Sequence, residues 1–197
     1  MVLTEADHSD LEPNDSAPTF TLPDTAGEEV SLDDFSDHTA VLLVFTCNHC
    51  PYAKAKMPTL NAIADEYDDV AVIGINPNDA DEYPEDSFDR MEELVADGTV
   101  AYDAYLRDES QAVAAAYGAV GTPDPFLLTP TEDGGFRVAY RGRLDDAQSP
   151  DEAPSGEPGG EVRAVIERVR DGERVADSGE PARGCSIKWK PGNKPKA

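Results

Sequence analysis

Residues 41–45 read Val-Leu-Leu-Val-Phe, with no polar residue and β-branched side chains at the first and fourth positions, and Cys47-Asn-His-Cys50-Pro51 follows almost at once. A continuous apolar run of this length is a strand buried on both faces, so the chain must supply cover for both sides of a sheet. Pro51 suits the first turn of a helix, where its missing N–H costs nothing. Leu60, Ile63, Ala64 and Tyr67 recur behind it at helical spacing, with Pro58 expected to kink the helix. A buried strand therefore delivers two thiols, spaced C-x-x-C, to the start of a helix. Such a junction lowers a cysteine's pKa and makes it reactive.

The later segments alternate in the same way. Residues 70–75 form a second buried strand, and 85–96 a helix with Phe88, Met91, Leu94 and Val95 on one face, ended by Gly98. A short strand near 100–105 and a helix over 109–117, stopped by Gly118, come next. Strands over 125–129 and 136–141 are joined by the turn at 132–135, and 162–170 is a last amphipathic helix. A helix between the first two core strands makes them parallel neighbours, and a turn between the last two makes them antiparallel. The class is α/β with a central mixed sheet flanked by helices. Ahead of it, residues 17–32 alternate apolar and polar around Ala26-Gly27, as an edge hairpin does. Three regions result: an acidic N-terminus over 1–16, expected to be flexible; a folded domain over 17–171, carrying an acidic Pro/Gly-rich loop at 145–160; and an extension over 172–197 with a basic end.

Against 41 acidic residues stand 16 basic ones, a formal charge of -25. That charge disfavours nucleic acid and anionic membranes as partners. The acids are spread along the chain, which reads as a wholly acidic surface adapted to a salt-rich cytoplasm; an ordinary acidic protein is the alternative. Residues 1–15 have no apolar segment of signal length, and no run approaches the ~18 residues of a membrane span. A soluble, cytoplasmic, monomeric protein is expected. In a reducing compartment its three cysteines point to redox chemistry or a metal rather than to a disulfide framework.

The order and spacing of Ala17-Pro-Thr-Phe-Thr-Leu22, the strand into Cys47-Asn-His-Cys50, Met57-Pro58 and Gly121-Thr-Pro123 resemble the thioredoxin-like superfamily. The nearest branch is that of the redoxins, the alkyl hydroperoxide reductase/thiol-specific antioxidant group and the thioredoxin-like proteins of cytochrome maturation. The pairing of Thr46-Cys-Asn-His-Cys-Pro-Tyr52 with Gly184-Cys-Ser-Ile-Lys-Trp-Lys190 is similar to one subgroup of that superfamily. The resemblance implies a thioredoxin-like fold with an N-terminal hairpin extension and a C-terminal tail. It also implies a cis peptide bond at Thr122-Pro123, whose backbone pairs with a bound partner.

In that superfamily the nucleophilic cysteine lies five residues after the strand's phenylalanine and eight before the kinking proline. Cys50 stands in that relation to Phe45 and Pro58, and Cys47 does not. The resemblance thus makes Cys50 the nucleophile, at the helix start, with Cys47 as resolving partner, His49 tuning the pair and Pro123 seating the substrate. Two features depart from the pattern. The buried acid of thioredoxin would fall at Val44, and the peroxiredoxin signature P-x-x-x-[TS]-x-x-C is absent before either cysteine.

The expected activity is thiol–disulfide exchange on protein or small-molecule thiols and disulfides, with no cofactor. The alternatives are a peroxiredoxin-like thiol peroxidase and a copper- or zinc-binding protein with Cys47, His49 and Cys50 as ligands. Cys185 is followed by Lys188, Lys190, Lys194 and Lys196, and by Trp189 as an apolar anchor. A basic tail should fold back onto an acidic body. Cys185 is then either a third redox thiol near the active site or an incidental cysteine on a surface tail.

Overall fold

The computed structural model describes residues 3–5 and 11–195. Its first half contains β1 (Leu3–Glu5), β2 (Thr21–Pro23), β3 (Glu29–Ser31), β4 (Ala40–Phe45), α1 (Pro51–Glu66), β5 (Val70–Asn76) and α2 (Phe88–Ala96). There follow β6 (Ala104–Arg107), α3 (Ala112–Ala116), β7 (Gly121–Thr122), β8 (Asp124–Pro130) and β9 (Phe136–Arg141). The chain ends with α4 (Gly160–Arg170), β10 (Asp177–Ser178) and β11 (Arg183–Ser186).

Every residue of β4 is buried, as its apolar run requires. It lies third from one end of a six-stranded mixed sheet ordered β10-β9-β8-β4-β5-β6, parallel to β5 and antiparallel to β8. The period-two alternation of a strand divides its side chains between two layers. Val41, Leu43 and Phe45 join Ile73, Ile75, Leu106, Phe126 and Leu128, covered by Tyr117, Phe20 and Ile187. Leu42 and Val44 face Leu60 and Ile63 of α1 and Val162 and Ile166 of α4. The result is a thioredoxin-like fold, helices on both sides of a mixed sheet, with β2 and β3 as the N-terminal hairpin. Among the described residues no helix is long and apolar enough to cross a membrane.

Several boundaries move for local reasons. The helix expected over 85–96 begins at Phe88, because Ser87 accepts the Arg90 N–H and caps it; Pro84–Asp86 form a separate 3-10 turn. The helix expected over 109–117 contracts to α3, because Gln111 takes a left-handed conformation with φ 63°. The strand expected near 100–105 lies at β6. α1 continues through Pro58.

The termini hold the main difference. The expected flexible N-terminus falls partly on residues 1, 2 and 6–10, outside the described residues. Within the rest, the Asn14 N–H donates to Val138 O at 2.8 Å and Ser16 bridges Arg137. The region after 171 is no simple appendage: β10 pairs with β9, and β11 lies between β1 and β7 in a second, antiparallel sheet.

Candidate active site

The site is assembled where β4 ends. Cys50 is the N-cap of α1, with extended backbone (φ -71°, ψ 124°), and Pro51 occupies the first helical position. The first intrahelical bond runs from Lys54 N–H to Cys50 O at 2.9 Å. The unpaired N–H groups and positive dipole end of α1 therefore lie at Cys50, where they favour a thiolate.

Cys50 is bonded to Cys185, with their Cα atoms 6.2 Å apart, and Cys47 is a free, buried thiol. Sequence reasoning paired Cys50 with Cys47; the bonded partner in the structure is instead Cys185. The reason is directional. The loop before α1 turns the Cys47 sulfur toward Thr122, 3.2 Å from its Oγ1. β11 brings Cys185 directly across from Thr122, whose carbonyl oxygen is 3.4 Å from the Cys50 sulfur. Cys47, Cys50, Ala53 and Cys185 form one small buried cluster with Tyr52 packed on it. The Thr122–Pro123 peptide bond beside them is cis.

Burial pushes the Cys47 thiol up to about 11, and the negative charge of Asp86 adds to the effect. That acid is the functional residue the sequence did not disclose. Asp86 has no solvent exposure. It accepts from Asn48 N–H at 2.6 Å, His49 Nδ1 at 2.5 Å, Asn78 Nδ2 at 2.8 Å and Asn76 Nδ2 at 3.3 Å. Burial alone would raise its pKa, but the bonds from His49, Asn78 and Asn48 hold it below the ordinary carboxylate value. One aspartate among 41 acidic residues carries no mark in the sequence; the nearest signal is Asn76, which ends β5, and Asn78 just beyond it.

His49 is stacked on Tyr83, with ring centroids 5.1 Å apart. The bond from Nδ1 to Asp86 and the stacking on Tyr83 hold the imidazole in one orientation. Tyr105 donates to Asn48 Oδ1 at 2.6 Å, so the loop is held from β6 as well.

The metal alternative changes its ligand set. Cys50 is engaged in the disulfide, and the donors of Cys47, His49 and Asp86 lie within 4.8 Å of one another. They fit an ion poorly. A metal would have to displace the hydrogen bonds from His49 and Asn78 that satisfy Asp86.

The tail is fastened beyond Cys185. Gln111 Nε2 donates to Pro77 O and Lys188 O at 2.7 and 2.8 Å, and Lys190 N–H donates to Gln111 Oε1 at 2.8 Å. Lys188 N–H donates to Asn78 Oδ1 at 2.8 Å, which links the tail to the Asp86 cluster. Lys190 pairs with Glu109, and Trp189 packs against the core. Of the residues named from the sequence, Cys47, His49, Cys50, Pro123 and Cys185 all come together here.

A nucleophile-type cysteine capping a helix that follows a central strand, beside a cis-proline loop, defines a protein of the thioredoxin-like class. The chain belongs to the AhpC/TSA family, whose model matches residues 13–141. It is 35% identical to an uncharacterised conserved protein from Geobacillus kaustophilus, with a TM-score of 0.85, covering 97% of this chain and 98% of that one. A hypothetical protein from Sinorhizobium meliloti 1021 is 36% identical with a TM-score of 0.80, covering 92% and 97%. A protein described as a thiol:disulfide interchange protein from Chlorobium tepidum shares the fold, with 22% identity, a TM-score of 0.58 and coverage of 81% and 98%. No curated protein matches the chain.

Proposed function

We propose that the protein is a thiol–disulfide oxidoreductase whose working pair is Cys50 and Cys185. The observation that carries this reading is the bond between the helix-capping cysteine and a cysteine brought across the site by its own strand. In the reduced protein the Cys50 thiolate attacks a substrate disulfide, forming a mixed disulfide and releasing one substrate thiolate. The Cys185 thiolate then attacks the Cys50 sulfur, closes the bond and releases the second. Two electrons pass from the protein to the substrate, and the two leaving thiolates take the protons the cysteines gave up.

Cys47, read from the sequence as the resolving thiol, is placed less well for it. A thiol whose pKa is near 11 is almost wholly protonated at neutral pH. His49, oriented by Asp86, serves as the proton carrier in the place where thioredoxin's own acid is replaced by Val44. Membership of the AhpC/TSA family favours a second reading, in which the same pair reduces a peroxide. The absent P-x-x-x-[TS]-x-x-C pattern argues against it.

Reduced protein mixed with hydroxyethyl disulfide, and separately with hydrogen peroxide, distinguishes the two, with products mapped by mass. Rapid formation of Cys50–Cys185 with the disulfide, and slow formation with peroxide, is expected. The variant Cys185→Ser should accumulate the mixed disulfide on Cys50, whereas Cys47→Ser should exchange nearly as the parent does. A Cys47–Cys50 product in the parent protein would overturn the assignment.

A further inference from the structure

With β11 in place neither sulfur of the disulfide can be reached: Cys50 is 0% and Cys185 1% exposed. Cys47, Ala53 and Tyr52 pack around them. Cys50 can therefore form a mixed disulfide only when β11 has lifted. The place that β11 leaves is a strand's. Cys185 and Ser186 lie across from Thr122 and Gly121 of β7, and the Ile187 N–H donates to Val120 O at 3.0 Å. Lifting β11 takes these partners from the backbone at 120–122, and unpaired backbone groups in a protein interior are costly. An extended polypeptide restores the pairing, whereas a small disulfide does not.

The segment seated there shows what the place accepts. A methyl group at Gly184 would lie 2.6 Å from the Thr122 carbonyl carbon and 3.1 Å from the Pro123 nitrogen, both backbone atoms. The position before the cysteine is thus closed to any side chain. Two positions after it, Ile187 is 3% exposed and packs in the core layer that contains Phe45 and Phe126. The strap is also fastened at both ends. Before it, β10 pairs with β9 and the Arg143 N–H donates to Glu180 O at 2.8 Å. After it, the Lys188 N–H donates to Asn78 Oδ1 and the Lys190 N–H to Gln111 Oε1, each at 2.8 Å. Residues 181–187 can lift between these anchors while Cys185 stays close to Cys50, at a high effective concentration. β1 pairs with the outer edge of β11 and lifts with it.

We propose that β11 and the substrate take turns on β7, and that the substrate is an extended polypeptide segment of the form Gly-Cys-x-aliphatic. This rests on the oxidoreductase reading and specifies its substrate class. The Cys50 thiolate attacks a disulfide of that segment, one substrate thiolate leaves, and the segment pairs with β7 as a mixed disulfide. β11 then returns. Its Cys185 thiolate attacks the Cys50 sulfur, the Cys50–substrate bond breaks, and the second substrate thiolate departs with its strand. Two protein thiols are oxidised and one substrate disulfide is reduced, and the protons of the two cysteines pass to the leaving thiolates. Resolution and product release are one event, because the resolving thiol rides on the strand that displaces the product.

The test uses the full-length reduced protein and symmetric disulfides of capped, uncharged peptides containing Gly-Cys-Ser-Ile or Val-Cys-Ser-Ile. The disulfide of N-acetylcysteinamide supplies the same reacting group without a strand. Samples are alkylated at intervals and formation of Cys50–Cys185 is followed by mass. The glycine peptide should exceed N-acetylcysteinamide by about tenfold, since each backbone hydrogen bond contributes roughly twofold to tenfold. The valine peptide should lose that advantage. Methylating the isoleucine amide of the glycine peptide should slow it about fivefold, because that N–H replaces the one from Ile187. In Cys185→Ser carrying the glycine peptide on Cys50, amide hydrogen exchange over 183–187 should be at least about tenfold faster than in the oxidised parent. Equal rates for the glycine and valine peptides, or for the glycine peptide and N-acetylcysteinamide, would refute the substrate class. Undiminished protection of 183–187 with the peptide attached would refute the alternation on β7. If none of the disulfides yields Cys50–Cys185, the oxidoreductase reading itself fails.

Discussion

Asp86, fully buried, accepts the Nδ1–H of His49 at 2.5 Å, so a carboxylate outside the cysteine motif fixes the histidine inside it. The same carboxylate receives the Asn48 N–H and two asparagine side chains, and it ties the loop before α1 to the end of β5. Asp86→Asn should therefore loosen the loop and disorient His49 together. Losing charge-assisted bonds at a buried site costs about 2–3 kcal/mol, measurable by denaturant unfolding. The pKa of Asp86 is lower folded than unfolded. Its contribution is present above the unfolded value near ~4 and is lost as pH falls toward the folded value. The parent should thus lose stability below about pH 4, and the variant should lose that part of the slope.

Asp124 carries the opposite sign. It is buried, Arg141 reaches it only at 3.5 Å, and burial raises its pKa to about 6 despite that guanidinium. Between about pH 4 and 6 the unfolded chain has lost this proton while the folded chain retains it, so stability falls as pH rises. A difference of about two units corresponds to at most about 3 kcal/mol. Asp124→Asn should flatten the stability profile over that window; an unchanged slope would mean that the carboxyl ionises freely in the fold.

β11 approaches β7 so closely that position 184 tolerates no side chain. A methyl group at Gly184 would lie 2.6 Å from the Thr122 carbonyl carbon, a backbone atom that cannot swing aside. Gly184→Ala should displace the strand that carries Cys185, at a cost of about 1–3 kcal/mol. Carried into the exchange equilibrium, this weakens the Cys50–Cys185 disulfide against dithiothreitol by roughly tenfold or more. Circular dichroism should show the main sheet unchanged, because β11 belongs to the smaller one.

Local pattern made the central fold readable, and it failed where the structure depends on distant pairing. The apolar run at 41–45 read as a buried strand, and the resemblance to thioredoxin-like proteins, through the counts from Cys50 to Phe45 and Pro58, pointed to the thiol that caps α1. The junction of β11 with β7 spans more than 60 residues and involves a two-residue strand, too short to leave a periodic signal. Gln111 shows the same limit. Its left-handed backbone and its clasp on Lys188 and Lys190 follow from the tail's position, which nothing near residue 111 encodes.

The three thiols should differ sharply once the disulfide is reduced. Cys50 lies at the N-terminus of α1, where unpaired N–H groups and the helix dipole stabilise a thiolate. Cys47 has the opposite surroundings: burial and the Asp86 charge hold its pKa near 11. At pH 7 its thiolate fraction is on the order of one in ten thousand, against at least several per cent for an ordinary cysteine of pKa ~8.5 or below. Iodoacetamide at neutral pH should therefore modify Cys50 first and Cys47 last, with rates at least about a hundredfold apart. Raising the pH from 7 to 9 should leave Cys50 nearly unchanged if its thiol is already ionised, while the Cys47 rate should rise about tenfold per unit. Mass mapping of the alkylated protein after short exposures reads both quantities. If Cys47 reacts as fast as Cys50 at pH 7, the helix N-terminus does not select the nucleophile.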